Sequence, residues 1–128
     1  MTEFVSLELS VVLWVVHVLV QAGAANLALP RAYLVSARDA PVEPKGVMAG
    51  RAKRALANYL ESFPAFVALD LAFIALHGSA GIWPIVWIVA RVAYLPLYLF
   101  DVAWVRSLVW GVSLLAILMM LLRLASWF

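Results

Sequence analysis

The chain has 128 residues, of which 67% are hydrophobic and only 12% charged, with a formal net charge of +2. A water-soluble domain of this length is about half apolar and about a quarter charged, so a fully hydrated globule is excluded. The absence of cysteine excludes disulfides, thiolate metal sites and a thiol nucleophile of the chain's own, and the length allows a single domain, residues 1–128.

A spanning helix needs roughly 20 mainly apolar residues. The first is predicted from about Phe4 to Leu29, stopped by Pro30. The preceding "MTEFVSLELS" is acidic rather than basic, which argues against a removable signal peptide. Arg31 to Gly50, with Pro41, Pro44 and Gly46, reads as a polar loop. A second span covers about Arg51 to Leu76, and "HGSAG" (77–81) makes a tight turn. A third covers about Ile82 to Phe100, with Pro84 in its first turn, where proline is tolerated. The fourth covers about Val105 to Phe128; the short joint Asp101 to Trp104 makes it an antiparallel partner of the third. The expected fold class is all-α, a transmembrane four-helix bundle.

The cations are unevenly placed. Arg31, Arg38, Lys45, Arg51, Lys53 and Arg54 cluster between the first two spans, against Asp39 and Glu43. Asp101 and Arg106 lie between the last two, whereas the turn between the second and third carries no Lys or Arg. The positive-inside tendency predicts an integral membrane protein, of bacterial inner-membrane type, with both termini outside the cytoplasm. Trp83, Trp127 and Phe128 then fall near the outer interface and Trp104 near the inner one, and the remaining Trp and Phe side chains are expected in the belt or against lipid.

At 100° per residue, Arg51, Arg54, Asn58 and Glu61 share one face of the second span, within about 80° of arc. Lys53 points elsewhere and is expected to reach for the headgroups. In the third span Arg91, Tyr94, Tyr98 and Asp101 repeat the same +3, +4, +3 spacing, and Arg106 and Ser107 open the fourth at the same level. A charge facing lipid costs a few kcal/mol even on the mildest scale. These groups must therefore face a cavity or each other. A purely structural network of Arg–Glu and Arg–Asp pairs is one solution. Four arginines (51, 54, 91, 106) face only Glu61 and Asp101, however, and the surplus suits an anionic ligand.

The pattern Arg51, Arg54, Ala55, Asn58, Glu61, Pro64, Phe66, followed by "ARVAYLPLY…VRS" with Arg91, Tyr94, Tyr98, Arg106 and Ser107, resembles the MAPEG family. These are membrane-associated proteins in eicosanoid and glutathione metabolism. The likeness spans nearly the whole chain and implies a bundle that assembles as a homotrimer. It implies glutathione held between subunits near the cytoplasmic side, and transfer to, or reduction of, a lipophilic small molecule arriving through the membrane. Carried onto this sequence, Arg106 would stabilise the thiolate, with Tyr94 and Tyr98 bonding the thiolate or peptide. Arg51, Arg54, Asn58, Glu61, Arg91 and Ser107 would hold the rest of the tripeptide. Two positions depart from active relatives and mark a divergent member. Gln21 and Asn26 stand where those relatives carry a base, and Asp101 brings a negative charge near the thiol, which opposes its ionisation.

The rival class is a non-catalytic lipid-binding protein or an accessory subunit of a membrane complex; a transporter has less support, for lack of a broken-helix pair. No metal is expected, since His17 and His77 are 60 positions apart without partners at ligand spacing. No nucleic acid is expected, and "RAKR" (51–54) fits a membrane surface. Asp70 and His17, both mid-span, are expected to bond across helices, to each other or to backbone. Pro64 and Pro96 are expected to kink their helices. Gly111 and Ser113 are expected to allow close packing in the fourth helix.

Overall fold

The computed structural model describes residues 2–126 and, among them, five helices and no strand. These are α1 (Glu3–Ala28), α2 (Arg31–Leu34), α3 (Met48–Ala75), α4 (Trp83–Leu99) and α5 (Ala103–Ala125). α1 packs on α3 and α4, α3 on α4 and α5, and α4 on α5. Two helices, α1 and α5, are long and apolar enough to cross a membrane; α3 is as long but carries charges, and α4 has 17 residues.

The burial pattern is inverted relative to a water-soluble bundle. The 26-residue α1 buries only Ser6, Ser10, His17 and Ala28, while Phe4, Val12, Trp14 and Leu19 face outward. α5 buries Ser113, Ala116 and Met120 at +3 and +4 and turns Leu114, Leu118 and Leu122 outward. Small and polar residues inside with apolar ones outside is the arrangement lipid imposes, because hydrocarbon offers polar groups no partner. Ser6 Oγ accordingly donates to Asp70 Oδ2 at 2.7 Å, Tyr59 donates its hydroxyl to the Ser10 carbonyl at 2.5 Å, and His17 Nδ1 meets the Leu13 carbonyl at 2.8 Å. Asp70 and His17 are thus bonded across helices and to backbone respectively, but not to each other.

The centre is aromatic. Trp87 stacks on Phe66 at 3.9 Å between centroids with the rings 11° apart, and Tyr59 and Phe73 close around them. The belt position expected for all these rings is therefore wrong for Phe66, Phe73 and Trp87, which are wholly buried. Trp104 does face outward, 87% exposed, while Trp83 is partly buried against the core. Trp127 and Phe128 lie outside the described residues.

The expected bounds of the loop and of the second span are corrected. The segment 31–50 is not all loop: α2 forms directly after Pro30, and α3 begins at Met48 rather than Arg51. Pro30 stands outside the helix it starts, so its missing N–H costs nothing there. Pro64 and Pro96 lie inside α3 and α4, which continue past them. Gly111 has open space where a side chain would stand, whereas Ser113 is buried and bonds the Trp110 carbonyl.

The α3–α4 turn is tied from two sides. Glu3 Oε1 accepts from the Ala80 backbone N–H at 2.8 Å, and Arg123 Nε donates to the Ser79 carbonyl at 2.8 Å. Gly81, at φ +69°, sits so close beneath Arg123 that a Cβ would meet its Nη1 at 3.1 Å. The backbone angle favours glycine there, and a side chain would also have to push the Arg123 guanidinium aside by a few tenths of an ångström.

Trp87→Ala empties the stacking position at the centre. It should destabilise the protein by about 3–5 kcal/mol, seen as a lowered thermal midpoint in detergent with folded-state helix content unchanged.

Candidate functional site

A cavity of about 470 Å³ opens where α3, α4 and α5 converge. α3 supplies Arg54, Ala57, Asn58 and Glu61; α4 supplies Tyr94 and Tyr98; α5 supplies Arg106, Ser107 and Trp110. Seven of the nine candidate residues thus line one wall-to-wall space: Arg54, Asn58, Glu61, Tyr94, Tyr98, Arg106 and Ser107. Helical spacing explains the α3 contribution, since positions 54, 58 and 61 stack on one face.

The other two candidates are placed differently. Arg91 lies beneath the cavity, 1% exposed. Its Nη1 donates to Asn58 Oδ1 at 2.8 Å and its Nη2 to Ser62 Oγ at 2.6 Å, and it rests against the faces of Tyr94 and Trp87. Arg51 turns to the end of α4, where Nη1 donates to the Leu99 carbonyl at 3.0 Å and Nη2 reaches Asp101 Oδ2 at 3.4 Å. It supports the α4–α5 corner rather than lining the cavity.

Asp101 holds that corner with φ +58°, a left-handed conformation that a short Asp side chain tolerates. Its second oxygen lies 3.6 Å from Arg106 Nη1, so one carboxylate is shared by two guanidiniums. The pairs are partly solvated and individually weak. Their effect is to aim: Arg106 is held between Asp101 and the face of Tyr98, 4.7 Å from its centroid.

Ser107 Oγ donates to the Ala103 carbonyl at 3.1 Å, and four other described groups of the cavity have no such partner. Among the described residues Arg54 and Glu61 form no ion pair, and neither the Tyr94 nor the Tyr98 hydroxyl has a hydrogen-bond partner. Arg91 consumes the Asn58 carbonyl oxygen and leaves its amide N–H groups unused. The cavity therefore offers a cation, an anion, an amide donor and two phenols to whatever enters, with Arg106 alongside.

A family model for MAPEG matches residues 6–126. The chain belongs to the MAPEG family. No curated protein and no solved structure matches it. MAPEG proteins are membrane-associated and include glutathione transferases, peroxidases and members without catalysis. The MAPEG assignment agrees with the inverted burial of α1 and α5.

Several contributors escape the MAPEG motif. Ser62 is the second acceptor for Arg91 and follows Asn58 by one helical turn. Trp110 forms part of both the main cavity and a smaller neighbouring one of about 170 Å³, which shares Asn58 and Glu61 with it and is otherwise lined by Ser62, Arg91, Ala65, Leu114 and Ile117. Its +3 and +4 spacing from Ser107 and Arg106 was the available signal. Gly50 gives Arg54 room, since a Cβ there would meet its Nη1 at 3.2 Å. Among the described residues no group of three or more His, Cys, Asp or Glu is placed to hold a metal.

Asn58→Ala removes an acceptor from a buried cation and should cost about 1.5–3 kcal/mol. With Arg91→Met already in place the same change should cost under about 0.5 kcal/mol. Thermal or denaturant unfolding of the four proteins of this cycle checks the coupling.

Proposed function

We propose that the chain is an integral membrane, glutathione-dependent transferase or peroxidase acting on lipophilic electrophiles or hydroperoxides. The observation that carries this reading is the set of complementary groups on one cavity: Arg54, Glu61, Tyr94 and Tyr98 without partners among the described residues, the free amide N–H groups of Asn58, and Arg106 and Ser107 from α5. Glutathione has two carboxylates, one ammonium and a thiol, and these groups match it. Arg54 suits a carboxylate through its forked donors. Glu61 suits the ammonium, and the Asn58 amide N–H groups suit a carboxylate or peptide carbonyl. When bound, glutathione supplies the nucleophilic sulfur.

The chain's own part is electrostatic. A fixed guanidinium beside a thiol favours the thiolate, and Arg106, held by Asp101 and Tyr98, is the group for this role. Tyr94 and Tyr98 add phenolic donors. The smaller cavity beside it joins the polar groups Asn58, Glu61 and Ser62 to an outward-facing apolar edge, Ala65, Leu114 and Ile117, which suits a lipophilic co-substrate arriving from the bilayer. The cavity is open on the outside of the chain, where Arg54 and Glu61 are exposed. A second copy would cover it, in keeping with a homotrimer whose basic connections lie on the cytoplasmic side of a bacterial-type inner membrane.

One observation favours a second reading. Asp101 already pairs with Arg106, which lowers the field available to a thiolate. On that reading the protein binds a lipid or serves a larger complex without turnover.

Purified protein should gain thermal stability on adding glutathione and should conjugate a nitroaryl halide or reduce a lipid hydroperoxide. Arg54→Ala should abolish the stabilisation. Arg106→Ala should keep most of it and lower turnover by roughly 10²-fold or more, the scale of losing one transition-state charge donor. Stabilisation by glutathione with no turnover in either assay would keep the ligand and remove the enzyme; folded protein that shows neither response would overturn the glutathione reading and leave the second.

A further inference from the structure

A separate cavity, of about 270 Å³, lies on the other side of α3 from the one proposed for glutathione. Adjacent positions on a helix diverge by 100°, so Arg54 faces one cavity and Lys53 the other. The inner end of α1 contributes Gln21 and Leu29, α2 contributes Tyr33, and the segment leading to α3 contributes Arg38 and Val42. That segment is fixed in place: the Lys45 backbone N–H donates to the Ala28 carbonyl at 2.9 Å, folding it back over the end of α1.

Three features mark this space as a site for an anion with an apolar tail. Lys53 and Arg38 both line it, and no carboxylate does; Asp39 and Glu43 lie outside its lining. Lys53 has no hydrogen bond or ion pair among the described residues. Arg38 is held at φ +60°, a conformation that costs a β-carbon residue energy and that glycine or asparagine would adopt more easily. The strain is stabilised locally: its N–H bonds Ser36 Oγ at 3.2 Å and its Nη2 bonds the Leu34 carbonyl at 3.0 Å. An arginine kept in a glycine conformation, its guanidinium braced at a cavity, is backbone strain at a site with an evident use for it. Beside the cations, Leu29 and Val42 give an apolar wall, and Gln21 and Tyr33 add polar groups.

The geometry points to a headgroup site for an anionic phospholipid, with Lys53 and Arg38 on the phosphate and the Leu29–Val42 wall against the start of the acyl chains. This site is separate from the cavity proposed for glutathione and does not depend on that proposal. It places a cation pair where α1 ends and α3 begins, at the level where a spanning helix meets the headgroups.

The test uses delipidated full-length protein in neutral detergent, titrated with phosphatidylglycerol, phosphatidylcholine or inorganic phosphate. Binding is read by native mass spectrometry and by the thermal midpoint. Phosphatidylglycerol should bind and stabilise, and phosphatidylcholine and phosphate should not. Lys53→Gln combined with Arg38→Gly should weaken phosphatidylglycerol retention roughly tenfold or more. Glycine suits the φ +60° position, so this variant keeps the fold while removing the charge. Arg31→Gln with Lys45→Gln, which removes two cations outside the cavity, should leave retention within about twofold of the parent. Equal loss in the two double variants would mean diffuse surface attraction and would overturn the site. A response to inorganic phosphate alone would overturn the lipid assignment. Unchanged stabilisation by glutathione in the Lys53→Gln/Arg38→Gly variant would confirm that the two cavities act independently, and its loss would overturn that separation.

Discussion

A cation with no ion-pair partner among the described residues organises the middle of this protein. Arg91 is enclosed by α3, α4 and the aromatic core, and its guanidinium is solvated by one amide, one hydroxyl and two ring faces. Taking a guanidinium out of water is expensive unless its donors are met. Its two bonds to α3 therefore fix how α4 sits against that helix. They also set the Asn58 amide, whose remaining donors face the cavity. The cavity floor is thus a by-product of meeting two of that arginine's nitrogens, while its Nε stays buried without a partner.

The same demand runs through the rest of the structure. Ser6 with Asp70, Tyr59 with the Ser10 carbonyl and His17 with the Leu13 carbonyl are all polar contacts in the interior of an apolar chain. In water such groups would be dispensable. Against hydrocarbon they have nowhere else to go. The outward faces of α1 and α5 carry the leucines, valines and tryptophans that a soluble bundle would bury.

Much of this was legible in the sequence. Helix ends fell within about three residues of the hydrophobic runs, the usual reach of such boundaries, because Pro30, the "HGSAG" turn and the Asp101 corner punctuate them. The +3, +4, +3 stripes placed Arg54, Asn58, Glu61, Tyr94 and Tyr98 together because spacing alone decides which residues share a helical face. Spacing does not decide where a long side chain goes. Arg51 shares the stripe, yet its flexible arm finds the Leu99 carbonyl and Asp101; Arg91 shares the other stripe, yet is drawn inward to Asn58 and Ser62. The burial of Phe66 and Trp87 was missed because hydropathy cannot separate a ring that faces lipid from one that faces another ring. α2 was missed because four residues are too few to show a period.

The knot at the α3–α4 turn has a mechanical meaning. The first turn of α1 and the last turn of α5 grip the same short loop, through Glu3 and Arg123. The far pole is laced shut by chain segments from both ends of the described sequence. At the opposite pole the α4–α5 corner rests on a solvated carboxylate shared by two arginines. Restraint is therefore graded along the long axis, tight at one pole and looser at the other, and the cavity lined by Arg54, Tyr98 and Arg106 lies toward the looser one.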